Sequence, residues 1–129
     1  MAHISCLITC SPSNVLRMQE AINTLTGLIA TGCTVESVFF YASGVLNANS
    51  LINPPVDEFN PHSAWSMFSQ QHQVPLLVCV SAAEKRGVID AALAEQNAQS
   101  AHNLIAPFEQ VGLGEFFTRL HNVDQLIQY

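Results

Sequence analysis

Pro75-Leu76-Leu77-Val78-Cys79-Val80 is the most apolar short run in the chain, and Ser81-Ala82-Ala83 and Glu84-Lys85-Arg86-Gly87 follow it directly. Six residues are too few for a free-standing helix, and a continuous apolar run closed by a turn signal reads as a strand covered on both faces. Such strands belong to parallel sheets packed between helices.

His3 to Thr9 is a short run of apolar and β-favouring residues, closed by the polar break Cys10-Ser11-Pro12-Ser13-Asn14. From Val15 the apolar residues Val15, Met18, Ile22, Leu25 and Ile29 fall at helical spacing, with Asn14 placed to cap the helix and Gly32 to end it. Thr34 to Tyr41 is almost continuously apolar again, a second strand. Ala42 to Pro61, with Gly44, Asn47, Asn49, Asn53 and Pro54-Pro55, reads as a long loop, and a loop of that length in a compact chain is usually functional or an interface element. A helix over Pro61 to Gln73 carries Trp65 and Phe68 inward. The strand Pro75 to Val80 follows, then a helix within Ile89 to His102, a brief strand Phe108 to Val111, a helix Leu113 to Leu120 and a closing strand from Val123 to Tyr129. The expected fold is α/β: a three-layer α/β/α sandwich with a mainly parallel, about five-stranded sheet and right-handed crossovers, in one domain over residues 1–129.

Composition narrows the function. Charged residues make up 11% of the 129-residue chain, against about 25% in ordinary globular proteins. A surface that lean in charge is expected to meet other subunits. The net charge is −6, and the four basic residues are Arg17, Lys85, Arg86 and Arg119. Gripping a nucleic-acid backbone needs a cluster of cations that neutralises several phosphates, so tight direct binding of RNA or DNA is not expected. Without a signal-like leader or a run approaching the roughly 18 apolar residues of a membrane span, the expected location is cytoplasmic. The four cysteines, Cys6, Cys10, Cys33 and Cys79, form no CxxC pair and no metal-ligand spacing, so neither a structural metal nor a disulfide framework is expected.

In open α/β sheets reactive groups gather beyond the carboxyl ends of the strands, where both Cys10 and Cys79 fall. Cys79 is better supplied. The turn after it presents backbone amides, and Lys85 and Arg86 add positive charge; both favour a thiolate, the nucleophilic form. The plain alternative is that Cys79 is a small hydrophobe closing a strand. Cys10 sits where a C-x5-R phosphate cradle would begin, but the arginine is Arg17 and position 16 is Leu16, so the spacing misses by one. Cys6 and Cys33 read as packing residues. A cysteine hydrolase would need His62, His72 or His102 beside the thiol, and all three lie in polar helical stretches where surface placement is the default. Asn47 and Asn49 either shape the long loop through their side chains or line the entrance to the thiol.

Ser37-Val38-Phe39-Phe40-Tyr41 with Gly44-Val45-Leu46-Asn47-Ala48-Asn49, then Asp57-Glu58-Phe59, Ala64-Trp65, Val78-Cys79-Val80 with Lys85-Arg86-Gly87-Val88-Ile89-Asp90, and Gly112-Leu113-Gly114 together resemble the DsrE family, in its TusD-like branch. The similarity runs from about Val35 to the C-terminus; the first loop lacks the glycine such chains carry. The resemblance implies a DsrEFH-like fold and a sulfurtransferase whose cysteine, matched by Cys79, holds sulfur as a persulfide in the relay that builds 2-thiouridine at the wobble position of tRNA. It further implies TusB-like and TusC-like subunits in a dimer of heterotrimers, a TusA-like sulfur donor, a TusE-like acceptor and no cofactor. Lys85 and Arg86 would then stabilise thiolate and persulfide. The alternatives are DsrE-like sulfur trafficking in sulfur oxidation, a non-catalytic assembly subunit, and a cysteine-dependent hydrolase.

Overall fold

The computed structural model describes residues 2–129. Its strands are β1 (His3–Ile8), β2 (Thr34–Phe40), β3 (Leu76–Cys79), β4 (Phe108–Val111) and β5 (Gln125–Gln128), all parallel, in the order β4-β3-β2-β1-β5. The helices are α1 (Val15–Ala30), α2 (Pro61–His72), α3 (Val80–Glu84), α4 (Ala91–Gln96) and α5 (Leu113–Leu120). From β1 to β4 each strand lies beside the last, and β5 then returns to the far side of β1. Right-handed crossovers therefore carry the helices between β1 and β4 to one face and α5 alone to the other.

Side-chain stacking agrees with that division. Phe39 and Phe40 are neighbours in β2, so they point to opposite faces. Phe39 stacks on Phe116 of α5 with ring centroids 4.5 Å apart, while Phe40 meets Trp65 of α2 edge-on at 5.3 Å. Trp65 is completely buried. On α1 the buried residues are Met18, Ala21 and Leu25, three and four apart on one stripe. Each large apolar side chain so buried contributes about 1.5–3 kcal/mol. Asn14 caps α1 by accepting from the Arg17 N–H, and Asn60 caps α2 by accepting from Ser63.

Two segments differ from the sequence-based expectation. Within the long loop, Ala42–Ala48 forms a 3-10 helix, with Val45 and Ala48 buried in the core. The helix expected within Ile89–His102 extends only over Ala91–Gln96, because Ala98 turns into the left-handed region at φ 57° and the chain folds back. Asn103 holds that return: its side chain accepts from Ile89 N–H and donates to the Gly87 carbonyl, each at 3.0 Å. Val80, expected at the end of the strand, instead begins α3.

His62 is not the surface histidine its polar surroundings suggested. Its ring stacks on Phe108 with centroids 5.0 Å apart, and its Nε2 is buried with no hydrogen-bond partner. Burial pulls its pKa below the ordinary 6.5. The unfolded chain then takes up this proton near pH 6.5, whereas the folded chain does so only at lower pH. The resulting stability is fully present above about pH 6.5 and is lost as the pH falls through that value towards the folded pKa. Urea unfolding at about pH 7 and about pH 5 is therefore expected to lose less stability in His62→Phe than in the wild type; an equal loss in both would contradict this.

Candidate active site

Cys79 is at once the last residue of β3 and the N-cap of α3, with φ −63° and ψ 114°. At that point the backbone leaves the sheet and turns into a helix, so the thiol lies at the carboxyl rim. Its residue is 4% exposed and forms the floor of a cavity of about 250 Å³.

The sheet register explains what surrounds it. β2 pairs with β3, so Tyr41 and Ala42, just past the end of β2, arrive beside the thiol. Cys79 is opposite Val111 of β4, and Leu113, two residues further on, supplies another wall. The short helix α3 contributes Ser81 and Ala82, and the turn after it brings Lys85 and Arg86 back to the same cavity. That turn is tightly closed. Val88 N–H donates to Ala83 at 2.9 Å, Gly87 takes φ 78°, and the Arg86 Nη1 donates to the Ala82 carbonyl at 3.0 Å.

The electrostatics are one-sided. Both salt bridges among the described residues belong to Arg119, which pairs with Glu36 and Glu115; Lys85 and Arg86 pair with no acid. Among the described residues, no aspartate or glutamate lines the thiol cavity. In a chain of net charge −6, half of the basic residues surround one cysteine without compensation.

The remaining candidates have other places. Asn47 is fully buried and donates to the Gly44 carbonyl at 2.9 Å and to Cys10 at 3.5 Å. Asn49 accepts from Leu51 N–H and from the Asn103 side chain, both at 3.0 Å. Neither lines the thiol cavity. Through Asn103, however, Asn49 connects the long loop to the Gly87 carbonyl, and so to the turn that carries the basic pair. Cys6 is buried in β1, where desolvation pushes its pKa up to about 12, which leaves it inert. Cys10 and Cys33 are half-buried, and all four cysteines are free.

No histidine lines the thiol cavity among the described residues. His62 packs on Phe108, His72 lies against Phe68 at 5.2 Å, and His102 borders a separate cavity of about 570 Å³ with no cysteine in its lining. The base that a cysteine hydrolase requires is therefore missing from the site. No cluster of three metal-ligating side chains occurs among the described residues, and no helix there is long and apolar enough to cross a membrane. Sequence reasoning missed Tyr41, Ala42 and Leu113 as neighbours of the thiol. Their signal was the strand order, which places the residues following β2 and β4 on either side of β3.

The chain is similar to known proteins over almost its whole length. The model of the DsrE/DsrF-like family fits residues 3–129, and so includes the first strand and loop. Sulfurtransferase TusD of Pectobacterium carotovorum is 41% identical over 125 residues, covering 96% of this chain and 97% of that protein. A sulfurtransferase TusD homolog of Vibrio cholerae is 44% identical over 102 residues, covering 79% and 78%. The crystal structure of the ychN protein from E. coli superposes with a TM-score of 0.76 at 15% identity over the full length of both chains, a likeness of fold.

Proposed function

The chain belongs to the DsrE/DsrF-like family, and from that premise we propose that it is a sulfurtransferase in which Cys79 accepts a sulfur atom as a persulfide and hands it on. The observation that carries the reading is the thiol at the floor of a rim cavity, bordered by two uncompensated cations and no carboxylate. The relatives' name, sulfurtransferase TusD, supports it at about 40% identity over nearly the whole chain.

In the step that loads the site, the Cys79 thiolate attacks the outer sulfur of a donor persulfide, the donor's S–S bond breaks, and the donor leaves as a thiolate. In unloading, an acceptor thiolate attacks the outer sulfur on Cys79. Negative charge is conserved on sulfur throughout, so Lys85 and Arg86 stabilise the thiolate, the persulfide and the transition state between them. Asn47 and Asn49 shape the loop that frames the site.

On this reading the chain is one domain acting in the cytoplasm, as the TusD-like subunit of a dimer of heterotrimers with TusB-like and TusC-like partners. A TusA-like protein delivers sulfur and a TusE-like protein takes it towards the wobble uridine of tRNA. Exposed apolar residues support subunit contacts: Leu51 and Val56 on the long loop are 70% and 106% exposed, and Phe117 on α5 is 57% exposed.

The test is incubation with a cysteine desulfurase and cysteine, followed by intact-mass and peptide analysis. The expected result is a gain of one sulfur atom, located on the peptide that holds Cys79. A gain confined to Cys10 or Cys33, or none, would reject the reading. Lys85→Ala with Arg86→Ala is expected to slow loading about tenfold, since charge-assisted contacts to the developing anion are lost. Loading at the wild-type rate would remove the basic pair from the mechanism.

A further inference from the structure

The thiol cavity is built for something smaller than a protein surface. At about 250 Å³ and with Cys79 only 4% exposed, it excludes a convex protein face and admits a small solute or one narrow side chain. Among the residues that line it are Lys85, Arg86, Tyr41 and Ser81, each with a side chain able to donate hydrogen bonds. Among the described residues, the one bond these side chains make within the chain is from an Arg86 nitrogen to the Ala82 carbonyl. With no carboxylate in the wall and no ion pair on either cation, the cavity carries an excess of donors and positive charge around one nucleophilic sulfur. The complement of such a site is a compact oxyanion.

We infer that the cavity binds thiosulfate and that Cys79 takes its sulfane sulfur directly, so that a small sulfur oxyanion serves as a donor beside any protein persulfide. The inference rests on the reading of Cys79 as a persulfide carrier and extends it to a second class of donor. An electron pair of the Cys79 thiolate attacks the outer sulfur of thiosulfate. The S–S bond of thiosulfate breaks, its electron pair departs with sulfite, and Cys79 is left as a persulfide anion. The two negative charges of thiosulfate and the one of the thiolate equal the two of sulfite and the one of the persulfide. No oxidant, reductant or metal enters the balance, and the thiol proton goes to solvent before the attack. Lys85 and Arg86 hold the sulfonate oxygens, which fixes the outer sulfur against the thiol and stabilises the departing sulfite.

The experiment loads the purified full-length chain with sodium thiosulfate in a single turnover, measuring sulfite release and the mass of the Cys79 peptide. A parallel sample of the same preparation is loaded from a cysteine desulfurase and cysteine. The expected result is one sulfur atom gained on Cys79 with an equal amount of sulfite. In Lys85→Ala/Arg86→Ala the half-saturating thiosulfate concentration should rise about tenfold. A gain from the desulfurase with none from thiosulfate overturns this inference and leaves the carrier reading intact. No gain from either donor overturns both. Loading by thiosulfate that is unchanged in the double variant overturns the assignment of the cavity as the oxyanion site.

Discussion

Cys79→Ser is expected to abolish sulfur acceptance, by about a thousandfold or more, while leaving a folded protein. A serine oxygen is a weak nucleophile at neutral pH and has no means of holding a transferable sulfane sulfur, so the loss is complete in kind and not only in rate. The fold should tolerate the change because the site is at a rim. Cys79 packs with the core, but it also faces a cavity that solvent enters, so a hydroxyl there is not stranded in an apolar interior. The expected cost is about 1 kcal/mol, read as a small decrease in the urea midpoint. Loading measured by mass on wild type, Cys79→Ser and Cys79→Ala separates the possibilities. Sulfur gained by the serine variant at the wild-type rate would place the acceptor at another cysteine, and Cys10 would be next to examine.

The separation between packing and chemistry shows how much of this molecule is legible in its sequence. The apolar run Leu76–Cys79 and the buried apolar residues Val35, Val38, Phe39 and Phe40 of β2 lie at the centre of the sheet, as expected of strands with helices on both faces. The stripe on α1 was equally readable, because Met18, Ala21 and Leu25 repeat the helical period. Local patterns like these carry their own structural instruction.

The rest depends on contacts between distant residues. Asn103 joins Asn49, Gly87 and Ile89 in one hydrogen-bonded centre, and no property of an isolated asparagine announces it. The alanine-rich segment after Ile89 favours helix, but the helix stops at Gln96, Ala98 turns left-handed, and the bonds from Asn103 to Ile89 and Gly87 hold the returning chain. His62 looked solvated because its sequence neighbours are polar, whereas its ring lies on Phe108 of β4, more than forty residues away. At the site itself, Cys79, Lys85 and Arg86 fall within eight residues, so the sequence brought them together; Tyr41 and Leu113 reach the cavity only through strand order.

Gly44→Ala is expected to be the most destabilising single-methyl change in the chain. A Cβ at this position would lie 2.0 Å from the Ile8 carbonyl oxygen and 2.7 Å from its carbon, with the Thr9 Cα at 3.2 Å. All three are backbone atoms at the end of β1, so no side-chain rotation relieves the overlap. The same Ile8 oxygen accepts from the Tyr41 N–H at 2.9 Å, and Gly44 N–H donates to Tyr41 at 2.9 Å. Moving either strand end therefore strains the last bonds between β1 and the segment leaving β2. The expected loss is about 3 kcal/mol or more, with Tm lower by roughly 10 °C. Gly27→Ala is the matched control: it lies within α1, nothing is within 4 Å of its added Cβ, and it should raise stability by about 0.5–1 kcal/mol. The effect reaches the thiol as well, since the 3-10 helix that Gly44 anchors begins with Ala42, a wall of the cavity. Folded Gly44→Ala protein at low temperature should accept sulfur more slowly than wild type, while Gly27→Ala keeps the wild-type rate. A Tm for Gly44→Ala within about 2 °C of wild type would mean that the close approach of the two backbones is not what fixes this side of the site.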